Sequence, residues 1–301
     1  MNSRILAVGS MALDSIETPF GKAEDALGGS VTYFSAAARF FAPVSVVAAV
    51  GKDFPAKHLK LLSGLGVDTS GVRIEDGKTF RWKGHYGFDL NSAKTLKTEL
   101  GVFATFKPEL DRAQRRSKTV FLANIDPDIQ RAVLKQVENP SLVACDTMNY
   151  WIGGKRPSLL KLLRRVDVIL CNDAEARELT GEVNLVKAAR WMFAHGPKLF
   201  VVKKGEHGVI CFAKNFTFLA PAFLLESVFD PTGAGDTFAG GFMGILAKAG
   251  RLDSATVRKA VIYGSVLASY NVESFSLKRL ISLKRFEIES RYRQFRKLTE
   301  F

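Results

Sequence analysis

The residues best suited to chemistry form one run, Asp230-Pro-Thr-Gly-Ala-Gly-Asp-Thr-Phe-Ala-Gly-Gly-Phe-Met243. A Thr-Gly-Ala-Gly turn there opens directly into a helix-length segment. Its glycines permit positive φ and close backbone approach. The first N–H groups of a helix have no internal acceptor and lie at the positive end of its dipole. Such an end favours an anion, typically a phosphate. Asp236 falls in the first turn. An acid beside a phosphate-binding turn makes sense as the acceptor of a proton from an attacking hydroxyl. The plainer reading of Gly233 to Asp236 is an ordinary glycine-rich cap.

Other phosphate motifs fit poorly. A G-x-G-x-x-G pattern begun at Gly233 and Gly235 meets Phe238 where its third glycine belongs. Gly77-Lys78-Thr79 mimics the end of a P-loop, but Val72 stands where the loop would start. Further candidates sit where apolar runs end. Asp14 follows the first run, Asn124 and Asp126 follow another, and Asn172 and Glu175 open a helix after Cys171. Each has a structural alternative as a cap or a dipole-favoured acid. Lys203 and Lys204 reach either nucleotide phosphates or solvent, with the balance slightly towards solvent.

These residues need a scaffold. Short Val/Ile-rich runs at 4–9, 44–50, 119–123, 142–145, 166–171, 199–202 and 208–212 read as strands. Their continuous apolarity implies burial on both faces, as in a parallel sheet. Helix-length segments at 31–41, 54–65, 128–137, 155–165 and 185–194 alternate with them, which argues for a doubly wound α/β domain. Three successive helices are expected at 234–249, 253–270 and 277–297, with Gly250 ending the first and Asp253 capping the second. Segments 15–27 and 72–106 break the pattern. They are polar, carry turn residues and interleave aromatics, so a small sheet standing off the main domain is expected there.

The chain has 301 residues, 47% hydrophobic and 24% charged, which suits a single folded domain and excludes disorder. The absence of a long apolar run argues against a membrane span, and the first residues do not read as a secretory leader. Three scattered cysteines fit buried free thiols and a reducing cytoplasm, and four histidines show no zinc spacing. The net charge of +13 raises nucleic acid or anionic lipid as partners, but no motif supports either. Part of the excess lies in 278–301, where Arg285, Glu289, Arg293 and Lys297 share a helical face. A solvated amphipathic helix is the reading taken.

The 230–243 run matches the C-terminal signature of the ribokinase-like, or phosphofructokinase-B, sugar and nucleoside kinases, and the resemblance covers nearly the whole chain. Asp14 resembles the family's sugar-contacting acid, Gly28-Gly29 its N-terminal glycine pair, and Gly51-Lys-Asp53 its G-x-D step. Asn172-Asp-Ala-Glu175 is similar to its N-x-x-E motif, and Lys204-Gly-Glu-His-Gly208 to the glycine turn lining its nucleotide site. The resemblance implies a ribokinase-like α/β fold with helices on both faces of its sheet, spanning 1–301 with the inserted β lid. It implies ATP-dependent phosphorylation of a small uncharged sugar or nucleoside. Gly233, Ala234 and Gly235 would form the anion hole and Asp236 would be the base. Asp14, Gly28, Gly29, Ser30, Asn124 and Asn149 would contact the acceptor. Asn172, Lys203, Gly205, Gly208, Thr232, Gly235 and Asn271 would bind ATP, and Glu175 would hold Mg²⁺ through water.

The resemblance leaves a monovalent cation open, and it suggests dimerisation through the lid. Three departures bear on the acceptor. Tyr33 stands where Asn is usual, Lys203 where Thr is usual, and Thr147-Met148-Asn149 replaces Pro-Asn-Arg. Tyr33 and the lid aromatics Phe80, Trp82, Tyr86 and Phe88 offer stackable surface, a slight argument for nucleosides. The competing class is a non-catalytic sensor or partner-binding protein on a kinase fold. An intact Asp236 argues against it.

Overall fold

A computed structural model describes residues 4–300; Met1–Ser3 and Phe301, the ends of the expected domain, lie outside the described residues. The strands in chain order are β1 (Ile5–Val8), β2 (Ala12–Thr18), β3 (Gly21–Gly28), β4 (Val44–Gly51), β5 (Asp68–Glu75), β6 (Phe80–Tyr86), β7 (Ala93–Glu99), β8 (Thr119–Leu122), β9 (Leu142–Asp146), β10 (Val168–Asn172), β11 (Leu199–Lys203), β12 (Val209–Ala213) and β13 (Thr217–Ala220). The helices are α1 (Ser30–Ala38), α2 (Ala56–Gly64), α3 (Arg112–Arg115), α4 (Pro127–Gln136), α5 (Asn149–Gly154), α6 (Arg156–Leu163), α7 (Asp173–Thr180), α8 (Leu185–Ala194), α9 (Ala234–Ala249), α10 (Ser254–Asn271), α11 (Lys278–Ser282) and α12 (Arg285–Thr299).

The main sheet runs β13-β12-β11-β10-β9-β8-β1-β4-β5. From β11 to β5 every pairing is parallel. Alternate side chains feed two apolar layers. Ile5 and Ala7 point into one with α1, α9 and α10, whereas Leu6 and Val8 point into the other with α4, α6, α7 and α8. Continuous apolar runs are what such two-sided burial requires. The expected strand at 208–212 is present but antiparallel, as β12 beside β11. Only the short 204–208 link joins them, and a parallel return needs a longer crossover.

The two polar insertions do form a sheet, ordered β3-β2-β6-β7. Its limits differ from those expected. The 72–75 stretch belongs to β5 at the edge of the main sheet, and β2 already starts at Ala12. Asp53 fastens the lid to its base. Its Oδ1 accepts the Thr79 N–H and hydroxyl, both at 2.7 Å, and its Oδ2 accepts Arg81 Nη2 at 3.1 Å. The expected final helix 277–297 is broken. Leu283 is buried with extended backbone (φ −63°, ψ 135°), and α12 restarts at Lys284, whose N–H meets Glu287 Oε2 at 2.9 Å. Along α12, Arg285, Arg293 and Lys297 are exposed, and Glu289 accepts the Tyr263 hydroxyl at 2.8 Å. All three cysteines are free and buried, and no described helix is long and apolar enough to cross a membrane.

The packing of α1 on α9 fixes where the 233–236 turn emerges. A Cβ on Gly240 would sit 2.3 Å from the Phe34 carbonyl oxygen and 2.8 Å from the Ala37 Cβ. Gly240→Ala is therefore expected to destabilise by about 1–3 kcal/mol, despite alanine's better helix propensity. Urea unfolding with an unchanged m-value reads this directly. A midpoint equal to wild type would show that the two helices can part without cost.

Candidate active site

The parallel strands deliver their last residues to one edge of the sheet. Asn124 follows β8, Asp146 ends β9, Asn172 ends β10 and Lys203 ends β11. This is the edge where open α/β sheets place ligands. The N-terminus of α9 arrives at the same edge. A cavity of about 620 Å³ opens between them, lined by Asn124, Asp146, Asn172, Glu175, Lys203, Gly205 and Gly208, and by the whole 233–236 turn.

Gly233 has φ 74°, a left-handed conformation that glycine adopts without strain, and it reverses the chain into α9. Among the three residues expected to donate to an anion, Ala234 differs. Its N–H is spent on the Pro231 carbonyl at 3.1 Å, which leaves Gly233, Gly235 and Asp236 as the donors without an intramolecular acceptor. Asp236 shares the cleft with other acids. Desolvation pushes its pKa well above the usual carboxylate range, Asp146 pushes it further, and Lys203 opposes both.

Lys203 does not face solvent, contrary to the lean taken from sequence. Its ammonium lies 2.7 Å from Asp146 Oδ2, and both side chains are largely buried. Burial alone would lower its pKa, but Asp146 and Glu175 beside it reverse the sign. The ammonium also reaches the anion turn, lying 3.1 Å from where a Cβ on Gly235 would be. It is the one Lys or Arg among the described residues lining the cavity, against Asp89, Asp146, Glu175, Glu206 and Asp236.

Asn172 and Glu175 form a capping box on α7. Asn172 Oδ1 accepts the Glu175 N–H at 2.8 Å, and Glu175 Oε2 accepts the Asn172 N–H at 2.7 Å. The structural alternative is therefore present, yet both residues also line the cavity. Burial raises Glu175 to about 7, with Lys203 opposing. Thr232 and Asn271 are buried and do not line the cavity. Asp230 Oδ1 accepts the Thr232 N–H at 2.9 Å, and Asn271 Nδ2 donates to the Thr232 carbonyl at 2.8 Å. They brace the turn from behind instead of touching a ligand in the cavity.

The expected acceptor residues divide. Asn124 lines the cavity with its Oδ1 unpartnered. Asp14, Gly28 and Gly29 are buried and do not line it. The Gly29 N–H reaches Asp14 Oδ2 at 3.3 Å, and burial raises Asp14 to about 7. Ser30 is spent internally, since its hydroxyl pairs with that of Ser10 at 3.1 Å. Asn149 is exposed as the first residue of α5 and does not reach the cavity. Asp126 caps α4 and pairs with Lys155 at 3.3 Å.

Among the lid aromatics only Tyr86 lines the cavity; Trp82 bonds Thr95 at 3.2 Å, Phe80 packs near Phe103, and Phe88 is 90% exposed. The expected stacking surface is not assembled over the cavity. Sequence reasoning missed another wall of the cavity, Ser265, Ala268 and Ser269 of α10 with Val272 at its C-terminal cap. Their spacing marks one helical face. Three small residues on it were the available signal. It also missed Asn91 of the lid, whose Nδ2 reaches Glu206 Oε1 at 2.7 Å across the cavity mouth.

A family model described as pfkB family carbohydrate kinase matches residues 22–282. The cytidine kinase of Thermococcus kodakarensis is 30% identical over 245 residues, 79% of this chain and 87% of its own. Among solved structures, the ribokinase of Giardia lamblia superposes with a TM-score of 0.81 at 18% identity, covering 98% of this chain and all of its own. The aminoimidazole riboside kinase of Salmonella enterica, solved with aminoimidazole riboside and an ATP analog, gives 0.72 at 16% identity, covering 97% and 99%. The two structures agree in fold, and the family match runs from the second lid strand through α11: the chain belongs to the pfkB family of carbohydrate kinases.

Proposed function

We propose that this kinase transfers the terminal phosphoryl group of ATP to a hydroxyl of a small uncharged sugar or nucleoside. The observation that carries this reading is the start of α9, where free N–H donors and the Asp236 carboxyl face one cavity together with Lys203 and Glu175. Gly233 and Gly235 donate to the transferred group, with the Asp236 N–H beside them. The Asp236 carboxyl takes the proton of the attacking hydroxyl. Burial and the neighbouring Asp146 make its carboxylate a stronger proton acceptor than a solvated one, and Lys203 opposes that shift. Asn172, Gly205 and Gly208 shape the nucleotide side, and Lys203 gives the phosphates a cation in an otherwise acidic cavity.

The acceptor enters beside Asn124, and reaching Asp14, which is buried outside the cavity lining, requires this end of the site to open. Similarity to a cytidine kinase favours a nucleoside within this class. The residues fit a hydrated Mg²⁺, because the Glu175 carboxyl lines the cavity and Mg²⁺ generally keeps waters and phosphate oxygens as its remaining ligands. Glu175 would hold it through water, and the ion would neutralise phosphate charge. Strand β7, exposed along its whole length, suits pairing of two lids in a homodimer. The buried free thiols suit a reducing cytoplasm.

The test is coupled ADP release with ribose, fructose, inositol, adenosine, cytidine, fructose 6-phosphate and 2-keto-3-deoxygluconate. Asp236→Asn is expected to lower kcat about 10²–10⁴-fold while ATP still binds. Near wild-type turnover in that variant would remove Asp236 as the base, and highest kcat/KM on either anionic sugar would remove the acceptor class. A chain that binds these compounds yet transfers phosphate to none would favour a sensor.

Glu175→Gln is expected to raise the Mg²⁺ concentration for half-maximal rate and to lower kcat. Titrating magnesium against rate decides it. Superimposable curves would leave Glu175 as a capping residue alone.

Asp14 gives a pH signature in stability. Its folded value is about 7 against an ordinary 3.8. Below about 4 both states keep the proton. Between about 4 and 7 the unfolded chain releases it and the folded chain retains it, so stability falls as pH rises, then levels off. Asp14→Asn removes this loss. Its gain in thermal midpoint should be small at pH 4 and reach its maximum by pH 8, worth on the order of 1 kcal/mol or more. A gain independent of pH would show that Asp14 does not titrate in this window.

A further inference from the structure

Lys203 and Asp146 meet across a strand that belongs to neither. Lys203 ends β11 and Asp146 ends β9, with β10 between them. Lys203 is level with Asn172 of β10, and Asp146 with Leu170. Two strand spacings, roughly 10 Å, separate the backbones. The lysine side chain therefore spans the end of β10 before its ammonium reaches Asp146 Oδ2 at 2.7 Å. A lysine stem is flexible, so the backbone at 203 does not by itself decide where the charge goes.

The acid end of this pair is the fixed one. Asp146 Oδ1 accepts the Thr147 N–H at 2.8 Å, which orients the carboxyl and leaves Oδ2 for the lysine. Gln130 of α4, 1% exposed, holds the backbone behind it. Its Nε2 reaches the carbonyl oxygens of Asp146 at 3.1 Å, Ala123 at 2.9 Å and Leu122 at 3.2 Å, which ties the ends of β8 and β9 together. The ammonium end has alternatives. Glu175 and Asp236 also attract it, yet among the described residues Asp146 is the one carboxyl that hydrogen-bonds it. Held there, the ammonium lies 3.1 Å from where a Cβ on Gly235 would be, against a donor of the anion turn.

We propose that Asp146 is a positioning residue for phosphoryl transfer that acts through Lys203: its fixed carboxyl tethers the ammonium beside Gly235 and keeps it from settling on Asp236 or Glu175. This rests on the kinase reading above and deepens it. Each Asp146 oxygen already accepts a bond, and a carboxylate offers a phosphate no donor. Its influence on ATP therefore runs through the lysine. Charge alone would give the opposite result, since removing one acid from an acidic cavity favours a polyanion. Under the tether, losing that acid frees the ammonium to pair with the two carboxyls that remain, one the proposed base and the other the proposed holder of magnesium. Transfer then slows although repulsion of the nucleotide has been reduced.

The test is a double-mutant cycle on Asp146→Asn and Lys203→Met, read by coupled ADP release on the best acceptor. Asp146→Asn should lower kcat by about tenfold or more, with the ATP dissociation constant and the acceptor KM within about threefold of wild type. In the Lys203→Met background the same change should alter kcat less than about twofold, because no ammonium is left to tether. The single Asp146→Asn variant leaves a buried ammonium unpaired, whereas the double variant does not. If only the double variant folds, its kcat is compared with that of Lys203→Met: agreement within about twofold supports the tether and a larger difference overturns it. Wild-type kcat in either single variant, or losses that multiply in the double variant, overturns the role of Asp146 while leaving the kinase reading intact. A wild-type chain that phosphorylates no sugar or nucleoside overturns both.

Discussion

Five carboxyl groups, those of Asp14, Asp146, Glu175, Asp230 and Asp236, crowd one desolvated end of the sheet, and the one ammonium among them is Lys203. That arrangement opposes folding. Charges taken out of water are costly, and neighbouring like charges add to the cost. Its visible sign is the raised pKa of Asp14, Glu175, Asp230 and Asp236. The acids persist because the two apolar layers flanking the sheet fix the elements that carry them, Asp146 at the end of β9, Glu175 in α7 and Asp236 in α9. What the site lacks is positive charge. A hydrated cation, together with Lys203 and the dipole of α9, would have to offset both these acids and the phosphates of a nucleotide, so occupancy and stability are coupled here.

The lid depends on the same region. Asp53 at the end of β4 holds Thr79 and Arg81 at the start of β6. The far end of β6 then carries Tyr86 to Thr232, and the next loop carries Asn91 to Glu206. The lid is thus strongly fastened at its base and lightly latched at its tip. A 3.3 Å hydroxyl contact and one exposed amide–carboxylate bond are weak enough to break and reform during turnover. In the proposed reaction, closure would exclude water from the transferring group and limit wasteful hydrolysis.

Features that were legible in the sequence were local ones. The 230–243 run could be read because a turn and the first helical turn are built from adjacent residues. Asn172 and Glu175 were visible as a pair because a capping box is itself a spacing rule. Alternation of apolar runs with helix-length segments gave the α/β order for a comparable reason. What escaped was set by distant partners. The direction of Lys203 depends on Asp146, which comes from another strand. Ser30 looked available until Ser10 was found to consume it. Thr232 and Asn271 sit in the right segments, but they face away from the cavity to brace the turn. The break at Leu283 follows from one side chain drawn into the core, which periodicity alone does not reveal.

The same distinction explains why the reaction class is easier to read than the acceptor. The backbone donors and the acid proposed for phosphoryl transfer lie within a few residues of one another. The proposed acceptor end draws on β2, α1, the lid and Asn124 beyond β8, so its chemistry appears only when those elements meet. Tyr33 illustrates the point. In sequence it is one aromatic in a buried helix; in the fold its hydroxyl stands unpartnered among Asp14, Asp236 and Tyr86. Its ring also lies against Gly233, so α1 shares a packing contact with the 233–236 turn, and a shift of α1 would be felt there, with the α1–α9 contact as the common support.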